Sequence, residues 1–398
     1  MKHEFGWEVL DIIIGGKSSI DSMQGFAISS LGEADRFLVS YGFDLDHPIE
    51  KAQAFGNFHE ALNFVRKYFL QPENPEGLRL ELPRRLLELT DVRELFLLAN
   101  FSAPGQHKDS QGTMLRNWAC SILKVMHTIA HVDQDVRSSY FSDVQQQIFD
   151  RYYRAIHRDH EGRLYLGEKT EDPSRVNLVA FETKPKKSRD SLLMKLLHKP
   201  ENVAEDIFDR IGIRFVTETR LDALEVVQYL KDRMIVIPPN IKPSRSRNTL
   251  LDIERFKEKY MELKKAGKLG EQQLREAAAT LEGNTDNPHS SEFYRALQFT
   301  SRQLIKLKNP LYDDLKEVKG LVKTKVLSDD VIKLIERIDL KYVQREVRFF
   351  YPYEVQIVDI VSHEENEKGR SAHKEYKKAQ RQTAMRRVMG NLCDAGKS

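Results

Sequence analysis

The first 165 residues carry apolar positions at helical spacing. Phe58 to Leu70 repeats them every three or four residues, as do Trp118 to His131 and Val144 to Ile156. Leu80 to Asn100 is leucine-rich, and Pro72, Pro75, Pro83 and Pro104-Gly105 punctuate the pattern. Strand-like runs begin later: Arg163–Leu166, Val176–Phe181, Ile211–Thr217, Met234–Ile237, Arg345–Phe350 and Tyr353–Val361. Between them Leu221 to Arg233 has the period of a crossover helix. Glu254 to Glu282 is a charged helix pair turning near Gly267 and Gly270, and Asp329 to Leu340 a further helix. The pattern predicts an α+β protein: a helical N-terminal domain over 1–165, then a mixed sheet flanked by helices over 166–390, with a helical insertion at about 252–343.

Composition narrows the class. The chain has 398 residues, 40% apolar and 31% charged, enough for two cores. No apolar run approaches the roughly 20 residues of a spanning helix, and no membrane partner is expected. The N-terminus lacks the pattern of a secretory signal, and Cys120 and Cys393 stand far apart. Together these point to a reducing, cytoplasmic setting. Net charge is only +3 but unevenly placed. Lys184 to Lys199 holds six Lys and Arg against Asp190, and Lys368 to Arg387 holds eight against Glu375. Such clusters suit solvated helix faces, or pockets for polyphosphate or nucleic acid.

Four motifs carry the chemistry. Lys187, Ser191 and Lys195 recur in steps of four, which on a helix aligns two ammonium groups and a hydroxyl on one face. Asp209-Arg-Ile-Gly212-Ile-Arg214 precedes an apolar run, with Gly212 expected to permit a tight turn. Glu354-Val-Gln356-Ile is a strand with a carboxylate. In Glu367-Lys-Gly-Arg-Ser-Ala-His373-Lys-Glu-Tyr-Lys377, His373 and Lys377 are four apart on one helix side.

In this order the motifs resemble those of RelA/SpoT-type alarmone synthetases, over roughly residues 176–387. The resemblance implies a nucleotidyltransferase-like fold and a magnesium-dependent pyrophosphokinase, with ATP as donor. The acceptor would be the ribose 3′-hydroxyl of a guanosine nucleotide or of a tRNA or other RNA 3′ end. It implies that Asp209 and Glu354 hold magnesium, with Glu354 also placed to take the hydroxyl proton. It assigns Lys187, Ser191 and Lys195 to the donor phosphates and Arg214 to adenine. Gln356, His373 and Lys377 would contact acceptor or phosphate groups.

Three features depart from the family pattern. Pro185 stands where the family has an arginine, with Lys184, Lys186 and Arg189 as neighbouring substitutes. Pro243-Ser-Arg245-Ser-Arg247-Asn-Thr-Leu-Leu251 replaces the loop whose Tyr stacks on the acceptor guanine. About a hundred residues separate that loop from Glu354, and Val358-Asp359 replaces the family's Arg-Thr. The alternative function is therefore a catalytically degenerate synthetase fold that binds nucleotide or RNA. His127 and His131, followed by Asp133 and Asp135, lack the adjacent His-Asp pair of the hydrolase domain found in family relatives. They are expected to be packing or surface residues.

Overall fold

The computed structural model describes the chain apart from residues 1–11, 13, 15–17, 23–24, 101–109, 136–139, 169–173, 185–187, 200–209, 282, 284–293, 325–327, 369–372 and 394–398. In chain order its principal elements are α1 (Leu31–Tyr41), α2 (Pro48–Phe69), α3 (Val92–Leu98), α4 (Ser110–Asp133) and α5 (Phe141–Tyr153). Then come β1 (Ile156–Arg158), β2 (Leu164–Leu166), β3 (Val176–Leu178), β4 (Ala180–Thr183), α6 (Arg189–His198), β5 (Gly212–Thr217) and α7 (Arg220–Asp232). The remainder are β6 (Arg247–Asn248), α8 (Ile253–Lys265), α9 (Glu271–Thr280), β7 (Leu297–Lys308), α10 (Pro310–Thr324), α11 (Asp329–Glu336), β8 (Glu346–Asp359), α12 (Ile360–Lys368) and α13 (His373–Cys393). The protein is α+β, and no helix of the described residues is long and apolar enough to cross a membrane.

The chain forms two compact units, each discontinuous. One comprises 1–139, 186–207 and 367–398; the other comprises 140–185 and 208–366. The expected boundary at 165 therefore does not mark the division. The reason lies in the apolar faces of α6 and α13. Leu193, Leu196 and Leu197 of α6, with Ala384, Val388, Met389 and Leu392 of α13, are buried with Phe58 and Val65 of α2 and Trp118, Ile122 and Ile129 of α4. Ser121 also donates to the Val388 carbonyl at 3.0 Å, tying α4 to α13. Helices distant in sequence thus complete the helical core, because none could bury its stripe alone.

The second unit carries two sheets. One is a small antiparallel sheet, β1-β2-β3; the other has five strands in the order β4-β5-β8-β7-β6. Among the described strands of the larger sheet, β5 and β8 pair in parallel and the other neighbours antiparallel. One face of the larger sheet presents Phe181, Ile213, Phe215, Phe299, Ile305, Leu307, Tyr351, Tyr353, Val355 and Ile357. It packs on Val144, Ile148 and Tyr152 of α5 and Ala223, Val226 and Leu230 of α7. The Thr219–Asp222 capping box starts α7.

Three sequence expectations are corrected. The stretch 252–343 is not wholly helical: it contains β7, a strand of 12 residues between β8 and β6. Arg345–Phe350 and Tyr353–Val361 are parts of one strand, β8, running through Pro352. The Glu354 amide points toward β5, where the Ile211 carbonyl accepts it at 2.9 Å. The nitrogen of Pro352, two residues earlier, points to the same side, before β5 begins, so no ladder bond is lost there. Met234–Ile237 is no strand: Met234 has a φ of 53° and closes α7, with Ile235 and Val236 buried beyond it.

Candidate functional site

Opposite the apolar face, the larger sheet carries polar rows beside a small apolar cluster of Val216, Val358 and Ala296. Register places Glu182 beside Arg214, Arg214 beside Gln356, Gln356 beside Gln298, and Gln298 beside Arg247. One row of polar side chains therefore crosses all five strands. In the next row Gly212 pairs with Glu354 and Glu354 with Thr300.

The row is internally bonded. The Arg214 guanidinium donates to Gln356 Oε1 at 3.0 Å and to Glu182 Oε2 at 3.3 Å. Gln356 Nε2 in turn donates to the Tyr294 hydroxyl. Glu354 is buried, 8% exposed, and both its oxygens are engaged: Lys184 Nζ lies 2.5 Å from Oε1, and Gln298 Nε2 donates to Oε2. His363 of α12 approaches Glu182 Oε1 at 3.9 Å, and its buried Nδ1 has no hydrogen-bond partner among the described residues.

Gly212 has a different role from the tight turn expected of it. A Cβ there would lie 2.5 Å from the Lys184 Cδ. The missing side chain lets Lys184 cross β5 to reach Glu354. Lys184 is thus the cation of this site, whereas Arg189, another neighbour of Pro185, pairs with Glu60 and Asp133 in the helical unit.

The loop from Pro243 to Leu251 is drawn to the β7 edge. Lys242 donates its amide to the Thr300 carbonyl at 2.9 Å, and Arg247 pairs with Gln298. This basic loop therefore flanks the strand positions facing Glu354 and Gln356. Gln298, Tyr294 and His363 were missed from sequence, and Lys184 was named only as a neighbouring substitute for the family's arginine. Only the alternation in β7 could have flagged Gln298, since its place depends on strand pairing.

The expected residues are not all gathered here. Arg214, Glu354 and Gln356 share the face. Asp209 and Lys187 lie outside the described residues. Two residues beyond Asp209, the Ile211 carbonyl accepts the Glu354 amide. Ser191 and Lys195 sit on α6 and Lys377 on α13, both in the helical unit; α13 begins at His373. Of the helical face expected for Lys187, Ser191 and Lys195, the described part holds Ser191 and Lys195 on α6, which begins at Arg189 after its N-cap Ser188. Ser188 Oγ accepts from the Ser191 amide at 3.3 Å and meets Ser191 Oγ at 2.8 Å.

Glu354 supplies hard carboxylate oxygen, the ligand type magnesium takes. A cation, the Lys184 ammonium, already stands at Oε1. Glu354 therefore fits a cation site. Among the described residues no group of three or more His, Cys, Asp or Glu could hold a metal. Magnesium needs only one or two carboxylates when phosphates complete its shell.

His127 is a half-buried packing residue, and His131 beside it is exposed. The rings lie 4.4 Å apart, and His127 Nδ1 meets the Tyr41 hydroxyl at 2.7 Å. Burial, with the neighbouring His131 adding to it, pushes His127 down to about 4. The sequence matches no protein-family model, and a search of curated proteins finds no match.

Proposed function

We propose that the protein is a magnesium-dependent pyrophosphokinase of the RelA/SpoT type. It would move pyrophosphate from ATP to the ribose 3′-hydroxyl of a guanosine nucleotide or an RNA 3′ end. The observation that carries this reading is the polar row Glu182–Arg214–Gln356–Gln298–Arg247 beside a buried Glu354, on a sheet whose other face is core. The motifs resembling the family's supply the rest.

Catalysis of this kind is mostly positioning and charge neutralisation. The acceptor oxygen attacks the β-phosphorus of ATP, the bond to the bridging oxygen breaks, and AMP leaves. Magnesium held by Glu354 and Asp209 would neutralise charge on the transferring phosphates. Glu354 accepts the hydroxyl proton. Arg214, fixed by Glu182 and Gln356, offers a planar face to adenine. Lys187, Ser191 and Lys195 are assigned to donor phosphates, and His373 and Lys377 to acceptor or phosphate groups, by the resemblance alone.

A second reading, nucleotide or RNA binding without catalysis, is favoured by the engagement of both Glu354 oxygens with Lys184 and Gln298. Incubation with magnesium and γ-labelled ATP, offering GDP, GTP or bulk tRNA, separates the two. Label transfer that falls by at least about a hundredfold in Glu354→Gln supports the enzyme. ATP binding with no transfer to any acceptor supports the binding protein and sinks the enzyme.

A further inference from the structure

The polar face does not end at Glu354. Strands β7 and β8 continue outward as a two-stranded ribbon, from Arg302 opposite Pro352 to Lys308 opposite Glu346. Its inner face is buried: Ile305, Leu307 and Tyr351 lie in the core. Gln147 of α5 fixes the β7 edge, donating to the Lys306 carbonyl at 2.9 Å and accepting from its amide at 3.2 Å.

The outer face of the ribbon is open and predominantly basic. Arg302, Lys306, Lys308 and Arg348 are exposed on it. Across this stretch the acidic side chain is Glu346, which Arg348 neutralises at 2.7 Å. Among these cations stands Phe350, 51% exposed and directly opposite Leu304, with the Arg302 guanidinium 5.9 Å from its ring centroid. A single exposed apolar side chain is ordinary, and what sets Phe350 apart is its cationic surroundings. Ringed by cations, it has the two parts that hold a single nucleic-acid strand: a stacking surface for a base and positive charge for the backbone.

We infer that the outer face of the β7–β8 ribbon binds single-stranded RNA, with a base stacked on Phe350 and phosphates on Arg302, Lys306 and Arg348. Phe350 is four residues from Glu354 along β8, about 13 Å of strand on the same face. A strand bound there can continue along that face toward Glu354. The direction rests on the proposed transferase function; the binding does not. Charge complementarity selects a polyanion, and the ring selects one with unpaired bases. A duplex, whose bases are stacked inside, gains only the charge.

The test is fluorescence anisotropy with a labelled, unstructured oligouridine, a duplex of the same length, and polyglutamate as competitor. The wild type should prefer the single strand to the duplex. Phe350→Ala should weaken single-strand binding about tenfold or more, and Phe350→Tyr should keep it. Lys306→Ala and Arg348→Ala should each flatten the plot of log affinity against log salt by about 0.7. Equal affinity for duplex and single strand, an unchanged Phe350→Ala, or full displacement by polyglutamate at equal charge would overturn the inference. RNA binding without label transfer leaves it standing and counts against the transferase. Transfer to free GDP without oligouridine binding does the reverse.

Discussion

Glu354 and Gly212 depend on each other through Lys184. The lysine reaches the carboxylate only because position 212 has no Cβ. In the wild type, Gly212→Ala forces the Lys184 stem aside and should destabilise. In a Lys184→Ala background the obstruction is gone, and alanine restricts the unfolded chain more than glycine. There the same substitution should stabilise by about 0.4–1 kcal/mol. A denaturant-based double-mutant cycle checks it, with coupling of roughly 0.5–3 kcal/mol expected; additive effects would refute the crossing. His127 offers a pH test. Its folded value of about 4 lies below the ordinary 6.5, so the unfolded chain takes the proton first as pH falls. Stability contributed by the neutral ring is intact above about 6.5 and is lost progressively toward 4. From pH 7 to 5 this ring's share of the loss should be about 2 kcal/mol, and His127→Gln should remove that share while leaving the one due to His198, which burial also pushes down to about 4, read by urea unfolding at the two pH values.

At the scale of elements, α5 is seated on β8 through a buried pair of tyrosines. Tyr152 donates its hydroxyl to that of Tyr353 at 3.1 Å, and the rings meet edge-on at 6.0 Å. Tyr353→Phe strands the Tyr152 hydroxyl and should cost about 1–3 kcal/mol. Replacing both by Phe removes the orphan, so the double variant should be less destabilised than the sum of the singles in thermal unfolding. Sequence patterning was informative where an element had one period and clear ends. The helices α7, α8 and α9 and strand β5 fall within two residues of their expected spans. It failed at β7, where Gln298, Thr300, Arg302, Lys306 and Lys308 alternate with Phe299, Ile305 and Leu307 inside a charged stretch that otherwise reads as helix. Pro352 split β8 in the reading because its harmlessness depends on where a neighbouring strand starts. For the site, Arg214, Glu354 and Gln356 were visible as motif residues. Gln298 and Tyr294 were not, and Lys184 was visible only as a substitute for the family's arginine, since each gains its place from contacts between segments far apart in sequence.

The division of the molecule predicts how it can be cut. A fragment of residues 166–398 loses α5, and with it Val144, Ile148 and Tyr152 from the sheet core. A fragment of 1–165 loses the buried faces of α6 and α13. Neither should unfold cooperatively. Residues 140–366, with 186–207 replaced by a Gly/Ser linker of equal length, keep the sheet core and should show a single thermal transition by circular dichroism. A stable, cooperative 166–398 fragment would contradict the partition. The same partition sets an order of events during synthesis. Domains generally fold as the ribosome releases them, N-terminal first. Here the helical core waits for Ala384, Val388, Met389 and Leu392, while the sheet unit is complete at residue 366. The nascent chain therefore keeps the part of the helical core that α13 covers open until the sheet unit has emerged, and in that interval this apolar surface is exposed to aggregation.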